Sequence, residues 1–189
     1  MTERAPSGID LATHDPDGRD RLIASLEPLG IDYELFACDP ALADTAAFCA
    51  AYGFAPEDSA NTILVIGKST PPVYAACVVL APYRLDVNRT VRDRLGTRKA
   101  SFAPAEVTRE LTGMEIGGVT VFGLPPELPL LVDARVMTRE RIVLGGGSRS
   151  WKVLADPTIL LTLPGVEVVD GLATDPTMVL DPAPGLLLG

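Results

Sequence analysis

The chain has 189 residues, 47% of them hydrophobic, and a formal net charge of −9. That length suits one domain with its own core; no apolar run approaches the roughly 18 residues of a membrane span, and the polar, acidic stretch Met1–Asp20 lacks the apolar segment of a secretory signal, so a cytoplasmic location is expected. Scattered Cys38, Cys49 and Cys77 without a CxxC pair, and His14 as the one histidine, argue against a zinc site and a disulfide framework.

Residues 1–17, with Pro6 and Pro16 among small polar residues, read as a flexible N-terminal arm ahead of a single domain over 18–174. Leu22, Ile23, Leu26 and Leu29 recur at helical spacing, and Gly30 stops that helix. Ile31 to Phe36 alternates as a strand does. Asp44 to Tyr52 reads as a second helix, with Asp44 or Thr45 near its cap and Gly53 at its end. The continuous apolar runs Thr62–Ile66 and Val73–Leu80, separated by Pro71-Pro72, predict an antiparallel pair at the centre of a sheet. Leu85–Leu95 reads as a helix with arginines on one side. Pro104–Leu111 reads as another, with proline at its start. Strands are expected at Leu130–Asp133, Arg141–Leu144, Trp151–Leu154 and Val166–Val169, with a short helix capped by Asp156 before the last. The stretch 175–189, carrying Pro176, Pro182 and Pro184, reads as a loosely held tail. Without strict alternation of strand and helix, the pattern favours an α+β fold with a mixed, largely antiparallel sheet surrounded by helices. Cys49 and Cys77 sit among apolar neighbours and read as core.

Two glycine-rich stretches stand out. Gly113, Gly117, Gly118 and Gly123 fall within eleven residues between a helix and a strand. Such a loop can present successive N–H groups to an anion or an oxyanion, or can simply be a tight connection. Its spacing is neither a P-loop nor GxGxxG. Gly145-Gly146-Gly147, between two expected strands, is a hairpin turn or a pocket wall. Asp133 ends an apolar run, where it could orient a ligand amine or a water, or cap the next segment. With His14 in the arm, no histidine base serves a serine or cysteine nucleophile. The charge is uneven: −9 over residues 1–60, +5 over 61–152 and −5 over 153–189. The densest basic stretch, Arg84, Arg89, Arg92, Arg94, Arg98 and Lys99, is either a solvated helix face or a surface for phosphates.

Taken in order from about Leu22 to about Leu172, these segments resemble the YbaK/prolyl-tRNA-synthetase-associated editing domains. The resemblance rests on the helix 45–53, the strand entry Ser59–Val65, Leu111-Thr112-Gly113 followed by Gly117-Gly118 and Phe122-Gly123, then Asp133, then Gly146-Gly147 with Arg149. It implies a sheet partly closed like a barrel. It implies a trans-acting deacylase that hydrolyses the ester joining a small, wrong amino acid to tRNA, with no metal or other cofactor and with help from the terminal ribose hydroxyl. On that resemblance Asn61, Gly117 and Gly118 are the catalytic positions, and Phe36, Thr62, Thr112, Gly123, Asp133, Gly145 and Gly146 bind substrate. The implied partners are the acceptor end of aminoacyl-tRNA and a synthetase, with no membrane and no DNA. Such editing is useful because a methylene difference discriminates by only about 1–3 kcal/mol.

Four positions depart from the family pattern. Many members carry lysine at the place of Asn61, proline at that of Val121, a small polar residue at that of Gly145, and tyrosine or histidine near Phe36 or Cys38. The departures open a second reading, a non-catalytic module that binds tRNA or a synthetase, and a third, a small-molecule ester or amide hydrolase.

Overall fold

Along Val73–Leu80 successive side chains enter opposite cores. Ala76, Val78 and Leu80 join one buried cluster, while Ala75, Cys77 and Val79 join another. A strand covered on both faces needs apolar residues at every position, so the run is unbroken.

The computed structural model describes residues 1–177, so the end of the expected tail, 178–189, lies outside the described residues. In chain order the strands are β1 (Thr2–Arg4), β2 (Tyr33–Ala37), β3 (Ala60–Gly67), β4 (Val73–Leu80), β5 (Arg84–Leu85), β6 (Ala100–Phe102), β7 (Leu130–Asp133), β8 (Ile142–Gly145), β9 (Trp151–Ala155), β10 (Val166–Val169) and β11 (Ala173–Thr174). The α-helices are α1 (Pro16–Leu26), α2 (Thr45–Tyr52), α3 (Arg92–Arg94) and α4 (Ala105–Thr112).

A five-stranded sheet runs β10-β7-β4-β3-β6, parallel across its first two pairings and antiparallel across the others. A four-stranded sheet runs β1-β2-β9-β8, with only β1–β2 parallel. One parallel bridge, Ser59 to Val143, ties the two sheets at the start of β3. Their shared core includes Leu35, Leu64, Val78, Val132, Leu144 and Trp151. The antiparallel β3–β4 pair and the β8–β9 hairpin stand where the periodicity puts them.

Two segments differ from expectation. The N-terminal segment is laid on the fold. Thr2–Arg4 pair with Glu34–Phe36, and His14 Nε2 sits 3.1 Å from both Cys38 O and Ser150 O, edge-on to Trp151. Asp15, at φ 44°, caps α1, which begins six residues before the apolar periodicity does, its carboxylate accepting from Gly18 N at 3.1 Å. The arginine-rich stretch is not one helix. Leu85 is held in β5 by Ala173, and the Asp86 carboxylate caps Arg89 N and Thr90 N to start a π-helical turn, Val87–Val91, leaving only a short α3. Among the described residues, no helix is long and apolar enough to cross a membrane.

Candidate functional site

A cleft of about 340 Å³ opens where the start of α2, the start of β3, the loop after α4 and the β8–β9 hairpin meet. Asn61 and Thr62 reach it from β3, Thr45 from α2, Gly117 from the loop, and Gly145 and Lys152 from the hairpin. Ala43, Ala103 and Val119 add small apolar lining. Phe102 and Ile116 also line it and are more than half exposed, so they form its rim.

Local structure fixes these groups. The Thr45 hydroxyl donates to Asn61 Oδ1 at 2.7 Å, which leaves the Asn61 amide N–H groups to donate elsewhere. Thr62 Oγ1 is buried with no hydrogen-bond partner among the described residues, which carries a desolvation cost. On β9, Trp151, Val153 and Ala155 face the main core, while Lys152 and Leu154 face the other way. Phe36 on β2 and Gly145 on β8 are the cross-strand partners of Lys152. Its ammonium, 5.4 Å from the centre of the Phe48 ring, donates to Ala43 O at 2.7 Å and Gly117 O at 3.1 Å. Burial lowers the Lys152 pKa. Burying an ammonium costs several kcal/mol, and two hydrogen bonds to a charged donor, at about 1.5–3 kcal/mol each, offset much of that.

The glycine loop and the hairpin turn interlock. Gly147 N donates to Gly118 O at 2.8 Å, and Gly118 N to Glu115 O at 2.9 Å. A side chain at Gly145 would run into the carbonyl oxygen of Val119, and one at Gly118 would reach the Ser148 carbonyl at 2.5 Å. Gly117 adopts φ +90°, which favours glycine. Arg149 spans three segments, donating to Pro40 O at 2.9 Å, Ile116 O at 3.0 Å and both oxygens of Asp44 at 3.2 and 3.3 Å. That contact lowers the Asp44 pKa and raises that of Arg149. Asp44 is well exposed, so the pair adds at most about 1 kcal/mol; its effect is to fix the loop against the start of α2. Asp15 braces the turn from below, accepting from Ser148 Oγ at 2.6 Å and from Trp151 Nε1 at 3.2 Å.

The aminoacyl-tRNA editing domain profile matches residues 39–163, a span that contains every wall of this cleft. The chain belongs to that family. A crystal structure described as a "putative trans-editing enzyme for prolyl tRNA synthetase" superposes with a TM-score of 0.71 at 25% identity, covering 82% of this chain and 96% of that one. The structure of hypothetical protein APE2540 superposes with a TM-score of 0.70 at 24% identity, covering 79% and 97%; at that identity it bears on the fold alone.

Within this editing domain the expected site residues divide. Asn61, Thr62, Gly117 and Gly145 meet at the cleft. Gly118 packs behind it, and its N–H is already taken by Glu115 O, so it shapes the loop and offers no oxyanion donor. Thr112, Gly123 and Gly146 line a separate cavity of about 310 Å³ with Arg21 and Met114. Phe36 is buried in an aromatic cluster with Phe48, Tyr52 and Phe54. Asp133 is buried away from the cleft. Its carboxylate accepts from Arg135 and from Ala173 N at 2.8 Å, closing β7 onto the β11 segment. Lys152 was not expected in the site. Its signal was present: in Trp-Lys-Val-Leu it shares parity with Leu154, which marks a covered face and not a solvated one.

Proposed function

We propose that this editing domain is a trans-acting aminoacyl-tRNA deacylase. Water adds to the ester carbonyl, the bond from carbonyl carbon to ribose oxygen breaks, and a proton goes to the leaving ribose oxygen. The products are a free amino acid and tRNA with its ribose hydroxyl restored. The adjacent hydroxyl of the terminal ribose assists the proton transfer.

The observation that carries this reading is the make-up of the cleft: hydrogen-bond donors from Asn61 and Lys152 meet there, and no serine, cysteine or histidine is among its lining residues. An aminoacyl ester is already activated, so placed donors and a positioned water meet most of its need; one oxyanion donor contributes about 2.7–4 kcal/mol. The volume lies at the low end of ligand pockets, roughly 300–1,000 Å³, and the alanine and valine lining leaves room for a small side chain beside a ribose. Selective removal of a small amino acid follows from that fit.

The test is a deacylation screen with tRNAs charged with alanine, cysteine, serine, threonine and larger amino acids. Selective loss of one small amino acid over a protein-free control is expected. Stable ester across the whole set, with tRNA still bound, would replace the deacylase with a non-catalytic binding module.

A further inference from the structure

Lys152 is only 6% exposed, yet no carboxylate among the described residues pairs with it. Asp44 is taken by both guanidinium nitrogens of Arg149, and the two hydrogen-bond partners of the Lys152 ammonium among the described residues are the carbonyls of Ala43 and Gly117. An ammonium has three N–H donors, so one remains without an acceptor among the described residues. Buried cations are stable where they are paired. A cation with a spare donor, in the wall of a cleft, is completed by a ligand oxygen that carries or gains negative charge. Asn61 brings no charge to the same wall. Gly145, the cross-strand neighbour of Lys152, presents no side chain between it and the loop.

We propose that Lys152 is a catalytic residue of this site, its free N–H bonding the carbonyl oxygen of the aminoacyl ester. This rests on the deacylase reading. As water adds to the carbonyl carbon, the π electron pair moves onto that oxygen and faces the ammonium. The pair returns when the bond to ribose oxygen breaks. The lysine keeps its proton throughout. The bonds to Ala43 O and Gly117 O hold the ammonium still, so the donor is in place before charge develops.

The experiment combines kinetics with a measurement on the unaltered protein. Lys152→Met keeps the length and removes the charge. With melting behaviour close to wild type, it is expected to lower kcat roughly 100-fold or more while KM changes little, and to abolish the alkaline decline of kcat. A kcat within threefold of wild type, or a raised KM with unchanged kcat, would overturn the assignment, the latter pointing to a phosphate contact. Should the variant fail to fold, or should wild type hydrolyse no charged tRNA, lysine-labelled NMR of wild type decides. The probes are amide-linked alanyl, seryl and threonyl analogues of aminoacyl-adenosine. A selective shift of the Lys152 signal with one analogue supports the assignment even where hydrolysis is absent; no Lys152 shift with any of them overturns it.

Discussion

Removing Lys152 from water disfavours its charged form, and burial is the largest influence on it, so its pKa lies below the ordinary 10.5. Stability and turnover then respond to pH in opposite senses. Between the folded pKa and 10.5 the unfolded chain holds a proton that the folded chain has released. Stability from this group therefore rises with pH across that window. Turnover that needs the ammonium falls across the same window. Comparing wild type with Lys152→Met as pH is raised from neutrality isolates the group: the wild-type melting temperature should gain on the variant while wild-type kcat declines. Wild-type and variant curves of the same shape would place the alkaline limb on another residue.

Glycine loop and hairpin turn behave as one element, because each occupies space that a side chain on the other would need. Gly118→Val pushes the Ser148 carbonyl away and carries the Gly117 carbonyl off Lys152. Turnover is expected to drop at least about 100-fold, and the denaturation midpoint to fall as well, since Val119, the next residue, belongs to the shared core. Equal rates for variant and wild type would remove the loop from the reaction. Elements were legible in proportion to how local their causes are. β3, β4, β8 and β9 are long or tightly turned runs whose apolar period shows in the sequence. β1 and β6 are three residues each, held by partners at the sheet edges, and carry no period of their own. The expected helix over Leu85–Leu95 failed because one side chain, Asp86, redirects the backbone. In the site, Asn61, Thr62, Gly117 and Gly145 were legible from order and type. Asp133 was not: a buried carboxylate that closes a sheet and one that binds a ligand look the same until their partners are known.

At the scale of the molecule the acidic balance conceals a local basic face. Arg92 and Arg94 are engaged by Asp93 and Glu167. Lys68, Arg98 and Lys99 form no ion pair among the described residues, and Lys68 N bonds Lys99 O at 2.8 Å where β3 meets β6. Seven residues of strand separate Asn61 from Lys68, about 23 Å. Phe102 rims the cleft along the way. A polynucleotide with its 3′ end in the cleft can pass the exposed Phe102 ring, a surface on which bases stack, and meet those cations. Changing Lys68, Arg98 or Lys99 to Gln should raise KM for charged tRNA and reduce the dependence of log KM on log salt by about 0.7–0.9 per residue. An unchanged salt dependence in all three would move the RNA track to another face.

The three cysteines give the molecule an internal clock of its own opening. All are buried, Cys38 and Cys49 in the aromatic cluster beneath the cleft and Cys77 in the second core. Burial pushes the Cys38 thiol to about 11 and that of Cys77 to about 12, so the reactive thiolate is scarce near neutrality. Alkylation of the native protein by iodoacetamide should then proceed at the pace of local unfolding. Cys77 times rupture of the central sheet, while Cys38 and Cys49 time loosening of the wall that carries Lys152. A ligand seated in the cleft should lengthen the second interval more than the first, a footprint of occupancy that needs no catalytic turnover.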